Sequence, residues 1–394
     1  MPPDRDWLSA EAAIARLLPS TGGGSARAQL LARLTEYSAE AVQQARTLGA
    51  AVPSDADCSS ALDWLRCPVF ICGHQRSGTT LLQNLLDGHP QLLLLPSEGT
   101  YFTSFAYVAR PAPSELAMDR FAADWIARLV DPNFEPHFRL GKSDASRNPS
   151  VDFVRALFGW HAALRTRVEP KLAPLLALAA AFKATAAPRS APALWVEKTP
   201  QNERYAARFA PLERARFIQL VRDPRATFAS LAQIYRSTED EPFDAAEHAR
   251  AIGRSLRLAL VNARRLADRY LVVRYEDLIA RPAEEIERVR RFLDIPADPT
   301  LLVPTAGGHA VRANSSFGAG AAGAIDGARS APVLPPEHLE LLGAHASGAA
   351  RDLGYDLPPA RMRWTLLVRD WPRHALRRSR AALRAVVPAA ATRR

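Results

Sequence analysis

The chain has 394 residues, long for one domain but compatible with a doubly wound α/β enzyme carrying insertions, and its 48% hydrophobic content is ample for a core. Three cysteines, Cys58, Cys67 and Cys72, imply no disulfide framework, and nothing matches a zinc-ligand spacing. The net charge of +10 is uneven: residues 361–394 hold ten Arg and one Asp, leaving residues 1–360 at +1, which makes nucleic-acid binding by the whole domain a poor inference.

Residues 1–65, rich in Ala, Leu and charged positions, read as a helical N-terminal cap. The stretch Met1 to Pro19 carries Asp4, Arg5, Asp6, Glu11 and Arg16 and has no continuous apolar core, so no signal peptide is expected. Pro68 opens an apolar strand containing Cys72, a thiol expected to be buried and inert. The strand runs into Gly73-His74-Gln75-Arg76-Ser77-Gly78. A helix follows from Thr79 to Asp87, with Leu81, Leu82, Leu85 and Leu86 on one stripe and Gly88 and Pro90 as its stop.

Such a loop aims consecutive backbone N–H groups and the positive end of a helix dipole at one spot, a phosphate site. The spacing Gly73-x4-Gly78 matches the nucleotide-binding P-loop, but Thr79 stands where that motif needs Lys. P-loop NTPases use that Lys on the β/γ-phosphates, and a Ser/Thr with a strand-end Asp on Mg²⁺. Arg76 is the only cation in the loop. The loop suits a phosphate, though not the γ-phosphate of ATP or GTP.

Leu92 to Leu95 reads as a short buried parallel strand, and Glu98 lies just past it in Pro96-Ser97-Glu98-Gly99-Thr100. Residues 105–193 look like a helical insertion whose aromatics, such as Phe121, Trp125, Phe153, Phe158 and Trp160, are mostly core, with a minority available to an acceptor pocket. Within it Leu172 to Phe182 is the longest apolar stretch. It is interrupted by Pro174, and a bilayer span needs roughly 20 residues. A strand near Leu194 to Glu197 leads into Lys198-Thr199-Pro200, and Lys198 is one of only four lysines against 47 arginines.

The strand Arg216 to Val221 ends in Arg222-Asp223-Pro224-Arg225, delivering an arginine where a Walker-type strand delivers a carboxylate. Two phosphate-seeking elements without a metal site point to a nucleotide with two separate phosphate groups. A helix from Pro224 turns Ser230 back towards Arg222, and a further helix runs to about Asp268. A strand at Tyr270 to Arg274 and a helix at Pro282 to Leu293 complete the alternation. Strands alternating with helices predict a parallel sheet with helices on both faces and ligands at the carboxyl ends of its strands.

Phe317 to Gly323 is low-complexity and reads as a flexible loop. In the tail, Trp364, Leu367 and Trp371 precede Pro372. Leu376, Leu383 and Val387 then follow at helical spacing with Arg377 and Arg384 alongside. This basic amphipathic pattern suits an anionic membrane surface or a solvated or docked helix.

Several of these blocks resemble the sulfotransferases that use 3′-phosphoadenosine 5′-phosphosulfate (PAPS). The matching segments are Gln75-Arg76-Ser77-Gly78-Thr79-Thr80, Arg222 with Ser230 eight positions later, and Trp195-Val196-Glu197-Lys198-Thr199-Pro200. Val273-Arg274-Tyr275-Glu276-Asp277-Leu278 and Asn314-Ser315-Ser316-Phe317 follow in family order. The bacterial and tyrosylprotein branch is the most similar, because its loop carries Arg; Gln75 replaces the usual Pro.

The resemblance implies a P-loop-like parallel β-sheet flanked by helices, an α/β domain over residues 66–357 with residues 105–193 as its helical insertion. Residues 1–65 and the basic tail 358–394 would be helical extensions. It implies PAPS as donor, PAP as product and no metal. Arg76, Ser77, Gly78, Thr79 and Thr80 would hold the 5′ side, the two middle residues through their amides. Arg222, Ser230 and Tyr275 would hold the 3′-phosphate. A further arginine of the tyrosylprotein enzymes falls at Ile234, so that contact is lost unless Arg236 supplies it.

Glu98 matches the branch's general base within about one residue, and apolar neighbours would raise its pKa. His89 and His74, the alternatives, favour turn or loop positions. Lys198 and Arg76 would stabilise the sulfuryl group, assisted by Ser315 or Ser316. The structural alternatives are an exposed loop carboxylate for Glu98, an ion pair of Lys198 with Glu197, and one of Arg222 with Asp223 or Glu276.

The expected reaction is direct in-line transfer to the hydroxyl of a small molecule, lipid-linked molecule or protein. A soluble, cytoplasmic protein is expected, with the tail either in peripheral contact with the inner membrane face or a solvated or docked helix. The competing readings are an atypical kinase and a non-catalytic nucleotide-binding adaptor.

Overall fold

A computed structural model of the chain describes residues 24–130, 140, 147–188, 190–237, 243–311, 322–325 and 333–360, without the side chains of 24–28 and 237. The chain divides into two compact units, residues 1–221 with 262–328, and residues 222–261 with 329–394.

The first unit holds a five-stranded parallel sheet of β1 (Pro68–Gly73), β2 (Leu92–Leu94), β3 (Leu194–Lys198), β4 (Arg216–Val221) and β5 (Tyr270–Arg274) in the order β2-β3-β1-β4-β5. This is the expected α/β fold. The central strand β1 is buried along its whole length, which explains why it reads as an uninterrupted apolar run. Pro68 is tolerated because it takes the first strand position. The chain leaves β1 towards β2 on one side and reaches β4 on the other. The order therefore reverses beside the carboxyl end of β1, where a crevice opens in such sheets.

Alternation along the strands sorts side chains onto two cores. Phe70, Trp195, Phe217 and Tyr270 face one layer, where the Phe70 ring stacks on Phe209 and Phe217 with centroids 3.9 and 5.2 Å away. Val69, Ile71, Val196, Ile218, Leu220 and Val273 face the other. That second layer is built by α3 (Thr79–Leu86), α9 (Tyr275–Ala280) and α10 (Pro282–Leu293).

The first layer contains α1 (Gly24–Leu48), α2 (Asp55–Leu65), α4 (Glu115–Val130), α5 (Pro149–Leu164) and α6 (Ala173–Ala186). The insertion is thus helical as expected, and α1 packs on its helices α4 and α5. Helix α2, started by a capping box at Ser54, is tied to the sheet by the Trp195 indole, which donates to the Leu65 carbonyl at 2.8 Å. Phe121, Trp125, Phe153 and Phe158 are buried core, and Trp160 is partly buried.

Three boundaries and one element differ from the sequence reading. β2 stops at Leu94 rather than Leu95. β3 runs one residue further, because Lys198 pairs in register with Ile71. Helix α3 stops at Leu86, where Asp87 turns extended before Gly88. A two-residue hairpin of β6 (Thr305–Ala306) and β7 (His309–Ala310) was not anticipated. Gly307 and Gly308 form its turn at positive φ, as tight hairpins demand. Asp87 anchors it, accepting from the Thr305 hydroxyl at 2.7 Å and the Gly308 amide at 2.8 Å.

The second unit contains α7 (Pro224–Ser237), α8 (Ala245–Leu266) up to Val261, and α11 (Pro336–Asp352), which packs on α7. Asp223 precedes α7 and accepts from the Arg225 amide at 2.8 Å. Phe228, Tyr235, Phe243, His248 and His338 form an aromatic cluster within this unit.

Candidate active site

The loop after β1 adopts the shape its residues predict. Gly73, Arg76 and Gly78 all have positive φ, of 133°, 70° and 97°. Ser77 closes the turn by donating to the His74 carbonyl from its amide at 3.1 Å and its hydroxyl at 2.6 Å. Helix α3 then begins without a side-chain cap, so its first turn presents backbone amides rather than a capping oxygen. The Tyr275 ring lies directly on Gly78: a Cβ there would meet Tyr275 Cδ2 at 2.3 Å. Glycine is required at this position for its backbone angle and for that approach.

Beside the loop lies a cavity of about 1090 Å³. Thr80, Gln83 and Asn84 of α3 line one side, and the Leu92–Leu95 run with Glu98 and Thr100 lines another. Arg128, Phe182, Lys198 and the β6–β7 hairpin contribute the rest. None of the five insertion aromatics named from the sequence lines it; Phe182 does.

Glu98 and Lys198 meet at this cavity, with Lys198 Nζ 2.8 Å from Glu98 Oε1. The apolar setting expected for Glu98 is therefore corrected. Its side chain is 43% exposed and faces an ammonium, because β3 carries Lys198 to the same spot. The alternative pairing of Lys198 with Glu197 does not occur. Glu197 is buried and turned the other way, accepting from the Gly99 amide at 2.7 Å, from the Asn202 amide group at 2.7 Å and from the Thr199 hydroxyl. Burial outweighs those donors and pushes its carboxyl up to about 7, with the nearby Glu98 charge adding to the rise.

Arg128 completes the surround. Its guanidinium donates to the Glu98 carbonyl and, at 3.2 Å, to the Thr100 hydroxyl, while stacking over the Phe105 ring at 4.7 Å. Burial lowers its pKa. Neither Arg128 nor the hub role of Glu197 was found from the sequence. The only available signal was the position of Glu197 beside Lys198 at a strand end.

His89 and His74 sit in structural roles. His89 is buried with Nε2 3.1 Å from the Pro296 carbonyl, and buried His74 contacts the Gln75 carbonyl through Nδ1. Cys72 is fully buried and its thiol is pushed well upward by burial. Arg222 follows β4 directly and Ser230 lies two turns into α7; both are partly exposed and belong to the second unit. Asp223 pairs with Arg225, Oδ2 to Nη2 at 2.7 Å. Ser315, Ser316, the glycine-rich stretch before Gly323 apart from Ala322, and the tail from Arg361 lie outside the described residues. Among the described residues no three His, Cys, Asp or Glu side chains gather as a metal-ligand set. No helix among them is long and apolar enough to cross a membrane.

A family model described as the Sulfotransferase family matches residues 68–299, more than half of the chain. The chain belongs to the sulfotransferase family. The match opens on the first residue of β1 and takes in the loop, Glu98, Lys198, Arg222, Ser230 and Tyr275.

Among solved structures, this sulfotransferase is similar to the sulfotransferase domain of the Synechococcus PCC 7002 olefin synthase, with 22% identity over 74% of this chain and 96% of that one and a TM-score of 0.39. Sulfotransferase STF1 of Mycobacterium tuberculosis H37Rv shares 16% identity over 75% and 84%, with a TM-score of 0.41. A sulfotransferase of Alicyclobacillus acidocaldarius shares 15% over 73% and 96%, with a TM-score of 0.40. Scores this low leave the family membership resting on the family-model match. No curated protein sequence matches the chain.

Proposed function

We propose that the protein transfers a sulfuryl group from PAPS to the hydroxyl of an acceptor by direct in-line displacement. The observation that carries this reading is the Glu98–Lys198 pair, 2.8 Å apart, in a cavity that also takes in Thr80 from the first turn of the phosphate-loop helix. A base and a cation are thereby brought to the end of the sheet where a phosphosulfate would bind.

The loop fits such a donor. Its positive-φ residues and uncapped helix start supply the Gly78 amide, with Arg76, Thr79 and Thr80 around it, and the Ser77 amide would join them on leaving the His74 carbonyl. Arg222, Ser230 and Tyr275 are assigned to the 3′-phosphate. PAPS, when bound, supplies the activated sulfuryl group. Glu98 takes the proton from the acceptor hydroxyl, whose oxygen bonds to sulfur as the sulfur–oxygen bond to the 5′-phosphate breaks and PAP leaves. General-base help of this kind contributes about 10²- to 10⁴-fold. Lys198 shifts from Glu98 onto the charge developing at the bridging oxygen, and Arg76 shares it. Ser315 or Ser316 assists. Positive side chains meet the electrostatic demand, so the reading calls for no metal. The acceptor is a small-molecule, lipid-linked or protein hydroxyl, met in the cytoplasm or at its membrane face.

The test is calorimetric titration with PAP, ATP and AMP, each with and without Mg²⁺. Metal-independent micromolar binding of PAP with weak ATP binding is expected. Preference for Mg²⁺·ATP, or no nucleotide binding, would overturn the reading in favour of a kinase or an adaptor.

A further inference from the structure

The segment Pro96–Thr100 carries Glu98 and would be expected to move, since it is a short connection with no regular structure. It is instead held at successive backbone positions. The Gly99 amide donates to Glu197 Oε1 at 2.7 Å, and the Thr100 amide donates to the Thr199 hydroxyl at 2.8 Å. The Thr199 hydroxyl in turn donates a hydrogen bond to Glu197 Oε1, and the Asn202 amide group donates to Oε2 at 2.7 Å. From the opposite side Arg128 takes the Glu98 carbonyl and the Thr100 hydroxyl.

Two features mark how closely this network holds the segment. Thr100 has a φ of 46°, a left-handed conformation that costs a β-branched residue energy and persists only where its surroundings impose it. Gly99 lies so close to the buried carboxylate that an added Cβ would meet Glu197 Oε1 at 2.3 Å.

The end of β3 therefore does two things at once. Glu197 in the strand and Thr199 just past its end grip the backbone of the Glu98 segment, while Lys198 between them meets the Glu98 side chain. We infer that Glu197, Thr199 and Arg128 are positioning residues that fix the Glu98 carboxylate against Lys198 and the cavity. Glu197 and Thr199, outside the cavity lining, would act on turnover without touching donor or acceptor, and Arg128, which also lines the cavity, would act through the Glu98 carbonyl. This role rests on the reading of Glu98 as the base.

The experiment compares Thr199→Val, which removes both hydrogen bonds at nearly constant volume, with Thr199→Ser, which keeps them. Turnover of [³⁵S]PAPS is counted as labelled ester plus labelled sulfate over a panel of alcohols and phenols, water included. Hydrogen exchange of residues 96–101 and PAP affinity are measured on the same proteins. Thr199→Val should lose about tenfold to a hundredfold in kcat, the scale of a small misplacement of a reacting group, with KM for PAPS and PAP affinity within about twofold. Exchange over 96–101 should rise, and Thr199→Ser should restore kcat and protection together.

Arg128→Met, which keeps an unbranched apolar side chain but loses both donors and the guanidinium stacked on Phe105, should give the same signature from the other side, and it carries the test if Thr199→Val folds poorly. Wild-type turnover and exchange in the Val variant would overturn the inference, as would a Ser variant as impaired as Val. Glu98→Gln is run in parallel. An inactive Glu98→Gln beside a fully active Thr199→Val defeats the positioning role alone, whereas an active Glu98→Gln defeats the base reading itself.

Discussion

Lys198 Nζ lies 2.8 Å from Glu98 Oε1, a pair formed by residues a hundred positions apart in the chain. Its partners are unequal: the lysine side chain is 8% exposed and the carboxylate 43%. Both line the cavity, the cation as the sheltered member and the carboxylate as the open one. That division of labour suits a base that must reach an incoming hydroxyl and a cation that must stay dry enough for its charge to count.

Glu98→Gln keeps the shape and removes the proton acceptor. Turnover should fall by about 10²- to 10⁴-fold while PAP affinity changes little. Steady-state kinetics with labelled PAPS, beside PAP calorimetry, checks this; loss of PAP binding to the same extent would place Glu98 in the nucleotide site instead.

Lys198→Met should cost about 10²- to 10³-fold in kcat, the range for losing one charge-stabilising donor. Thermal stability should stay near wild type, because removing a sheltered charge also removes its desolvation cost. Lys198→Arg should fail to rescue, since a planar fork does not replace a compact ammonium.

Gly78→Ala meets two obstacles, the φ of 97° and the Tyr275 ring. The melting temperature should drop by an amount corresponding to about 1–3 kcal/mol, and PAP binding should weaken. Combining it with Tyr275→Ala, which itself removes a residue assigned to the 3′-phosphate, should recover only the steric share of the melting temperature, because the backbone strain remains. Full recovery in the double variant would show that the backbone angle is not limiting.

Arg222→Ala should weaken PAP binding and leave adenosine 5′-phosphosulfate, which lacks the 3′-phosphate, nearly unaffected. Equal losses for both nucleotides would remove Arg222 from the 3′-phosphate.

Glu197 carries a pH signature. Its folded-state pKa of about 7 lies above its ordinary value of 4.5, so the folded protein holds this proton more tightly than the unfolded chain does. The contribution to stability is full below about 4.5 and is lost as pH rises through 7, on the order of 3 kcal/mol in all. Glu197→Gln cannot lose the proton. Its stability relative to wild type should therefore climb between pH 5 and 8, as read from paired chemical denaturation curves. A constant difference across that range would show that Glu197 is ionised throughout.

Much of the fold was legible because it is written locally. The continuous apolar run of Pro68–Gly73 suits a strand buried on both faces, and the leucine spacing after Thr79 suits a helix on that sheet. The β6–β7 hairpin was not legible. Two-residue strands carry no periodicity, and what holds them is Asp87, more than two hundred residues earlier. Arg128 was equally silent, one arginine among 47, singled out only by where α4 delivers it.

The order of motifs, the glycine spacing of the loop, the strand and helix alternation and the family resemblance all reside in neighbouring residues, so the sequence by itself determined them. Backbone preference and apolar periodicity act over a few positions, and a one-dimensional reading can follow them. The partner of Lys198, the burial that lifts Glu197, the ring laid on Gly78 and the grip on Glu98 were decided only by tertiary structure. Each depends on which distant side chains the sheet brings within 3 Å. Desolvation and charge pairing, the forces that set a site's chemistry, exist only once those groups are packed together.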